Sequence, residues 1–419
     1  MAFLPKSYVF LGILRKGKEM KYIVILGDGM ADTPVEALGG KTPLEVAKKP
    51  VMDKLASMGE MGMVKTVPDG TSPGSDVANL SVLGYNPLEV YTGRSPLEAV
   101  SIGVALSDTD VTYRVNTVTL SDEEAYEDKT MVDYSSDEIT SAEGAQLMQA
   151  MNEAFANERI HFYAGTSYRN LMVEHKGKTG CTLTPPHDIS SRVIGAHLPK
   201  GADYLLDMMK KSYDISKNHP VNLDRVKRGL HPANSIWFWG EVTKPGVTNF
   251  KEKYGVDGAM ISAVDLLKGI GYSAGMQVIE VEGATGNVET NFEGKANAVC
   301  DALLSGKDFA YLHVEAADES GHRGEMENKI ISIEKLDKAL GSIMQRLDAA
   351  KEEYKILLMP DHPTPLATRT HSSEPVPFVI YQSNAIQESG AAAYTEAEAK
   401  KTGVFEPVGY KLMERFLKQ

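Results

Sequence analysis

The chain predicts an α/β protein built on a mostly parallel sheet flanked by helices, with a smaller α+β domain inserted into it. Three observations lead there. Short β-branched runs alternate with helical patterns towards both ends of the chain, acidic and histidine residues stand where those runs stop, and the middle follows a different rhythm.

Taken in order, YIVIL (22–26) predicts the first strand, LEVAKKPVMDKLASMG (44–59) a helix and MGMVKTV (61–67) a second strand. The alternation returns with SIWFWG (235–240), GAMIS (258–262), GMQVIEV (275–281), FAYLHVEA (309–316), KILLMP (355–360) and PFVIY (377–381), separated by helical stretches such as residues 327–354. One sheet is expected to collect all of these. Between them lie VTYRVNTVTL (111–120), a charged helix-like piece (137–157), RIHFYAG (159–165) and RNLMVEH (169–175), which read as the inserted domain. The expected division is 20–107 with 231–419 for the large domain and 108–230 for the insertion. Residues 1–19 carry one apolar patch, YVFLGIL, too brief to span a bilayer and without a small-residue cleavage site, so they are expected to form a leader or tail outside the fold.

With 419 residues, 42% hydrophobic and 24% charged, the composition is that of a globular protein with a substantial core. A formal charge of -13 argues against nucleic acid or an anionic membrane as partner, because both call for a basic face. It also means that a small anionic substrate needs a local positive site. The two cysteines, Cys181 and Cys300, have no zinc-type spacing, which points to a reducing cytoplasm and no structural disulfide.

Ligands of open α/β sheets collect at the carboxyl ends of the strands. Read to their ends, the runs deliver Asp28 after YIVIL, then Glu315, Asp318 and His322 after FAYLHV, then Asp361 and His362 after ILLMP; His371 sits in the loop leading to PFVIY. Mixed carboxylate and imidazole donors suit Zn, Mn or Co, and the three Asp and three His among them exceed what one tetrahedral ion needs, so two metals are expected. In VPDGTSPGSDVANLSVLGYNP (67–87), the helical spacing of Val77, Leu80 and Leu83 puts Ser75 at or near a helix N-terminus, where anions are favoured. Such a hydroxyl is ordinarily a cap. Beside a metal that lowers its pKa it becomes a candidate nucleophile.

Together GDGMAD (27–32), PGSDVANLSVLGYNP, the D-x-x-G-H of Asp318 to His322, PDH (360–362) and RTHSSEPVPF (369–378) resemble the cofactor-independent phosphoglycerate mutases of the archaeal type, in the alkaline phosphatase superfamily. The resemblance runs from about Met20 to the C-terminus. It implies an alkaline-phosphatase-like core and interconversion of 3-phosphoglycerate and 2-phosphoglycerate through a phosphoserine at Ser75. Two divalent ions (Mn, Zn, Co or Mg) are implied, and no 2,3-bisphosphoglycerate. Asp28, Ser75, Asp361 and His362 are implied as ligands of one ion, and Asp318, His322 and His371 as ligands of the other. In the inserted domain, GTSYRNLMV (165–173) and LTPPHDISSR (183–192) are similar to family segments. Arg169 and Arg192 are thus candidates to grip the substrate, and His187 or Asp188 to move the proton of the attacking hydroxyl. Arg94 in YTGRSPLEA and Lys268 in AVDLLKGIG are further candidates for positive charge. The chain departs from the family pattern at Ser95 and in DYSSDEI (133–139), where Glu138 stands; that segment is left outside the expected site.

Overall fold

The structure is a computed structural model that describes residues 20–418, so the expected leader at 1–19 lies outside the described residues. Thirteen strands follow in chain order: β1 Lys21–Gly27, β2 Glu60–Val64, β3 Val111–Leu120, β4 Met131–Asp133, β5 Ile160–Tyr163, β6 Arg169–Glu174, β7 Ser235–Thr243, β8 Gly258–Ile261, β9 Gln277–Ile279, β10 Phe309–Val314, β11 Tyr354–Met359, β12 Val376–Gln382 and β13 Phe405–Glu406. Eight of them form one sheet in the order β13-β2-β12-β11-β1-β10-β8-β9. Only β12 runs against its neighbours, so the sheet is mostly parallel, as expected.

Both faces of this sheet are covered, which is why its central strands are apolar without interruption. Ile23, Ile25, Ala310, Leu312, Ile356 and Leu358 face one buried cluster with the helices Phe292–Leu304 and Met326–Ala349. Val24, Leu26, Tyr311, Leu357 and Met359 alternate to the other, against Asp265–Ser273 and Lys411–Lys418. With β1 between β10 and β11, the ends of those three strands lie side by side. That adjacency brings residues 28, 315–322 and 360–362 to one edge.

The second sheet has the order β4-β3-β6-β5, with β7 on the other flank of β3, and every pairing is antiparallel. Here the sequence reading needs a correction. SIWFWG was expected in the large sheet, but β7 pairs along β3 from Val111↔Thr243 to Val118↔Ser235. Trp237 and Phe238 are buried with Tyr113 in the core of this smaller unit. Its period-two pattern fits either sheet, and the ten-residue partner β3 decides between them. The chain therefore stays with the small sheet to Thr243, beyond the expected border at 231.

Two helices also differ from expectation. The segment 44–59 forms Pro43–Val46 and Pro50–Met58, because Pro50 has no N–H to continue the first and starts the second. The long helix stops at Ala349, where Lys351 turns to a φ of 55° before β11 begins.

The two units meet at the helix Ser95–Ser101, which packs on Asp265–Ser273 as well as on β3 and β7. A Cβ at Gly269 would lie 2.1 Å from the Leu97 carbonyl oxygen, so only glycine permits that approach. Ser95, one of the departures from the family pattern, is buried; its hydroxyl lies 2.9 Å from Thr112 Oγ1 and donates to the Gly240 carbonyl. It fastens the start of this helix to the small sheet.

Candidate active site

Asp28 follows β1, and the turn after it depends on Gly29: its φ is +63°, and a Cβ there would sit 2.7 Å from Asp318 Cα. The loop from β1 can thus lie directly on the helix Ala316–Arg323 that carries Asp318 and His322. Asp361 and His362 follow β11. Oδ1 of Asp361 accepts from the backbone N–H groups of Gly29 (3.2 Å) and His362 (2.8 Å), and Oδ2 accepts from Asn79 Nδ2 (2.9 Å). One carboxylate thereby locks two strand ends to the helix Ser75–Val82.

Ser75 is the first residue of that helix, after the N-cap Gly74, so its hydroxyl is not at the capping position. The hydroxyl instead lies 3.4 Å from Asp28 Oδ2 and 3.2 Å from His362 Nε2. Ordinary capping therefore does not account for it. Asn79, one turn on, donates to the Ser75 carbonyl and accepts from the Tyr311 hydroxyl, fixing the helix end over the strands.

The ligand atoms fall into two groups, each within 4.8 Å: Asp28, Asp361 and His362, and Asp318, His362 and His371. His322 joins the second, with Nε2 3.4 Å from Asp318 Oδ2 and 2.8 Å from His371 Nε2. The expected sets are thus brought together, with His362 central to both rather than confined to one.

Three features fit these groups to cations. Asp28 Oδ1 is buried with no hydrogen-bond partner among the described residues, 3.6 Å from His362 Nε2. Burial, then the charges of Asp361 and Asp318, push the Asp28 carboxyl well above its ordinary range, so the pocket carries more negative charge than it can hold unaided. The third feature is tautomeric. His322 Nδ1 faces the Arg369 carbonyl at 3.0 Å and His371 Nδ1 that of Pro73 at 3.4 Å. Rings that donate there turn both Nε2 atoms to each other at 2.8 Å and to Asp318, so a proton on one of them, or a cation in its place, must lie in that contact. A hydrogen bond with Asp318 raises His322 to about 9; burial alone would raise Asp318, but bonds from His322 and His371 hold it down.

A buried network that the sequence did not reveal stands behind these ligands. Lys329 is fully buried; Nζ pairs with Asp32 Oδ2 at 2.7 Å and donates to the Ala31 and Thr364 carbonyls. The Thr364 hydroxyl donates to Asp318 Oδ1. Lys329 thereby ties the loop after β1 to the loop after β11. The signal for it was faint, a lysine within a stretch read only as helical.

The substrate candidates divide. Arg94 is beside the serine: Nε pairs with Asp76 Oδ2 at 2.7 Å, and Nη2 lies 3.3 Å from where a Cβ of Gly74 would be. Lys268 does not join the ligand groups; its partners among the described residues are Glu280 at 2.8 Å and Asp265 at 3.8 Å. In the small unit Arg169 lies over the Tyr168 ring at 4.5 Å, and a chain of edge-on contacts runs from Tyr168 through Tyr134 and His187 to Trp239, where Arg114 lies over the indole at 4.7 Å. His187 and Asp188 approach to 3.5 Å, both about half exposed. Arg192 is exposed beside this run in sequence, its backbone carbonyl accepting from Met131 N–H. Trp239 and Arg114 were missed because their strands read only as core.

The segment left outside the expected site lies next to it. Ser136, Asp137 and Glu138 have φ of 50°, 54° and 50°, three successive left-handed residues. Asp133 Oδ2 accepts from Asp137 N–H, Arg225 donates to the Ser136 carbonyl, and Asp137 holds His231 at 3.0 Å, which together sustain that strain. Glu138 is near enough to the Tyr168 phenol to help burial raise it.

A serine at a helix start, faced by two groups of carboxylate and imidazole donors at the ends of parallel strands, defines the class of metal-assisted phosphoryl-transfer enzymes. The comparisons narrow it. A model of the 2,3-bisphosphoglycerate-independent phosphoglycerate mutase family matches residues 56–222. A probable enzyme of that name from Geobacter sulfurreducens is 49% identical, covering 95% of this chain and 100% of its own. One from Methanothrix thermoacetophila is 48% identical over 92% and 96%. Among solved structures, a Pyrococcus horikoshii protein superposes with a TM-score of 0.80 at 29% identity, covering 96% of this chain and 98% of its own. The cofactor-independent phosphoglycerate mutase of Thermoplasma acidophilum shares the fold at 0.66 and 23% identity, covering 95% and 99%. The chain belongs to the 2,3-bisphosphoglycerate-independent phosphoglycerate mutase family.

Proposed function

We propose that this protein interconverts 3-phosphoglycerate and 2-phosphoglycerate, with Ser75 carrying the phosphoryl group between the two hydroxyls. The observation that carries the reading is the Ser75 hydroxyl, held between Asp28 and His362 beside both ligand groups. Asp28, Asp361 and His362 with Ser75 would hold one divalent ion, and Asp318, His322 and His371 the other. Mn, Zn, Co or Mg suits these donors. Such ions, when bound, neutralise charge on the phosphoryl oxygens and lower the pKa of the serine hydroxyl.

In the proposed cycle Ser75 Oγ attacks phosphorus in line, the bond from phosphorus to the glycerate oxygen breaks, and that oxygen takes up a proton. The glycerate turns in place. Its other hydroxyl then loses a proton and attacks the phosphoserine, and Ser75 regains its hydroxyl. The balance is closed, so no 2,3-bisphosphoglycerate is consumed. Arg94 would hold the phosphoryl oxygens from beside Ser75, and Arg169 and Arg192 the glycerate carboxylate, from the small unit that we take to run from about 108 to Thr243. His187 with Asp188 is suited to proton transfer. Lys268 is assigned a weaker part, contributing positive potential behind its partner Glu280. Holding the glycerate between the two units would shield the phosphoserine from water while the glycerate reorients.

The acidic chain favours no nucleic acid or membrane partner. Among the described residues no helix is long and apolar enough to cross a membrane. Two widely spaced cysteines favour a reducing cytoplasm as the compartment. Coupling it to an enolase with 3-phosphoglycerate tests the function: rapid enol product with little free phosphate supports a mutase. Free phosphate without 2-phosphoglycerate would make it a phosphomonoesterase instead.

A further inference from the structure

Asp28 is held from behind by a histidine that belongs to neither ligand group. His313 lies in β10, fully buried, with Nε2 2.9 Å from Asp28 Oδ2. Its other nitrogen, Nδ1, is 3.0 Å from Ser262 Oγ at the end of β8. The direction of this relay follows from Asp28, whose carboxylate as a ligand can only accept; Ser262 Oγ, which accepts from the Val264 N–H at 3.0 Å, still has its own proton to donate to Nδ1. His313 is thereby the tautomer with the proton on Nε2, and that proton is donated to Asp28 Oδ2.

The consequence falls on the other oxygen. With Oδ2 engaged by His313 and 3.4 Å from the Ser75 hydroxyl, Oδ1 is turned towards His362 Nε2 and, among the described residues, is buried without a hydrogen-bond partner. From this geometry we infer that His313 is a positioning residue, set in its tautomer by Ser262, which orients Asp28 so that Oδ1 faces the cation. The inference rests on the two-metal reading above. It goes beyond it in assigning a function to His313 and Ser262, neither of which is a ligand or touches substrate. The backbone also favours a fixed ring: the His313 carbonyl accepts from the buried Lys295 ammonium, and β10 is paired on both sides. Partners of this kind behind a ligand are commonly worth 10- to 100-fold in metal affinity.

The test is metal affinity of the full-length protein, stripped and then titrated with Mn or Zn against a chromophoric chelator, alongside the coupled assay. His313→Gln can still present an N–H at the distance of Nε2, whereas His313→Asn is too short to reach Asp28. The expected result is that His313→Asn binds one of two ions about 10- to 100-fold more weakly. Its kcat at limiting metal falls and recovers at high metal, while KM for phosphoglycerate is unchanged. His313→Gln should stay within a few-fold of the parent, and Ser262→Ala should fall between them. Equal affinity in His313→Asn and the parent would overturn the inference and leave the mutase reading standing. So would equal loss in the Asn and Gln variants, since that marks a role in packing alone. A parent protein that binds no metal would instead overturn the two-metal reading itself.

Discussion

The two halves of the candidate site are built on opposite principles. At the strand ends of the large sheet, Asp28, Asp361 and His362 are buried, and their neighbours Asn79, Thr364, Lys329 and His313 are buried with them. On the small unit, Arg169, His187, Asp188 and Arg192 are exposed, and Arg169 and His187 are ordered by ring contacts. A side chain that must hold a charge in place needs a second layer of fixed partners, because an unsatisfied buried group is costly. One that grips and releases a small anion needs reach. The contrast implies that substitutions of the buried ligands and their buried partners in the first region change chemistry and stability together, while those of partly exposed groups such as Ser75 change chemistry alone and those in the second region change substrate affinity and leave the fold intact.

The sharpest way to break this comparison is Ser75→Ala. It removes the phosphoryl acceptor, and mutase turnover is expected to fall by at least ~10³-fold, with unfolding in urea little changed. Retained turnover at saturating metal would remove the serine from the mechanism. Next is Lys329→Met. It leaves Asp32 buried beside an apolar chain, and loss of one partner of a buried pair is expected to cost about 3–5 kcal/mol, read as a lower urea midpoint. A variant as stable as the parent would mean that the network behind the ligands is not what holds the loops.

Arg169→Ala probes the other region. A lost charge-assisted contact of about 1.5–3 kcal/mol should appear as a KM raised roughly 10- to 100-fold, with the melting temperature unchanged. A fall in stability of similar size would erase the distinction between the two halves. The smallest effect expected is that of Asp76→Asn. Burial alone would raise the Asp76 carboxyl, but Arg94, Tyr91 and the Val77 N–H lower it overall. A depressed folded pKa contributes stability above the ordinary carboxylate range, and that stability is lost as the pH falls through the folded value. The variant should thus be about 1 kcal/mol less stable at pH 7, given that Arg94 is well exposed, and the difference should close in acid. A difference that persists in acid would show that the carboxylate charge is not its source.

The same contrast explains what the sequence could and could not reveal. Strand ends were legible because an apolar run that stops at an Asp or His is a local pattern, and the α/β alternation placed these runs in one mostly parallel sheet, whose order sets β1 between β10 and β11. Ser75 was legible through helical spacing after Pro-Gly. The partners behind them were not. His313 and Lys329 occupy positions that read as strand and helix interior, and their roles arise only when residues some 300 positions apart meet, as with the Lys329 and Asp32 pair. On the small unit, β7 alternates as a strand of either sheet would, so its membership, and with it Trp239 beside His187, depended on pairing with β3. Segment 133–139 was set aside for lacking the family pattern, yet its left-handed turn brings Glu138 close to Tyr168. Chain pattern is silent on such proximity.

The most direct measurement is mass spectrometry of the enzyme acid-quenched during turnover of 3-phosphoglycerate, with and without prior chelation. The account expects one phosphoryl group on the peptide containing Ser75, present when divalent metal is supplied and absent after chelation or in Ser75→Ala. Full turnover with an unmodified Ser75 peptide, or the same phosphopeptide after metal is stripped, would contradict it.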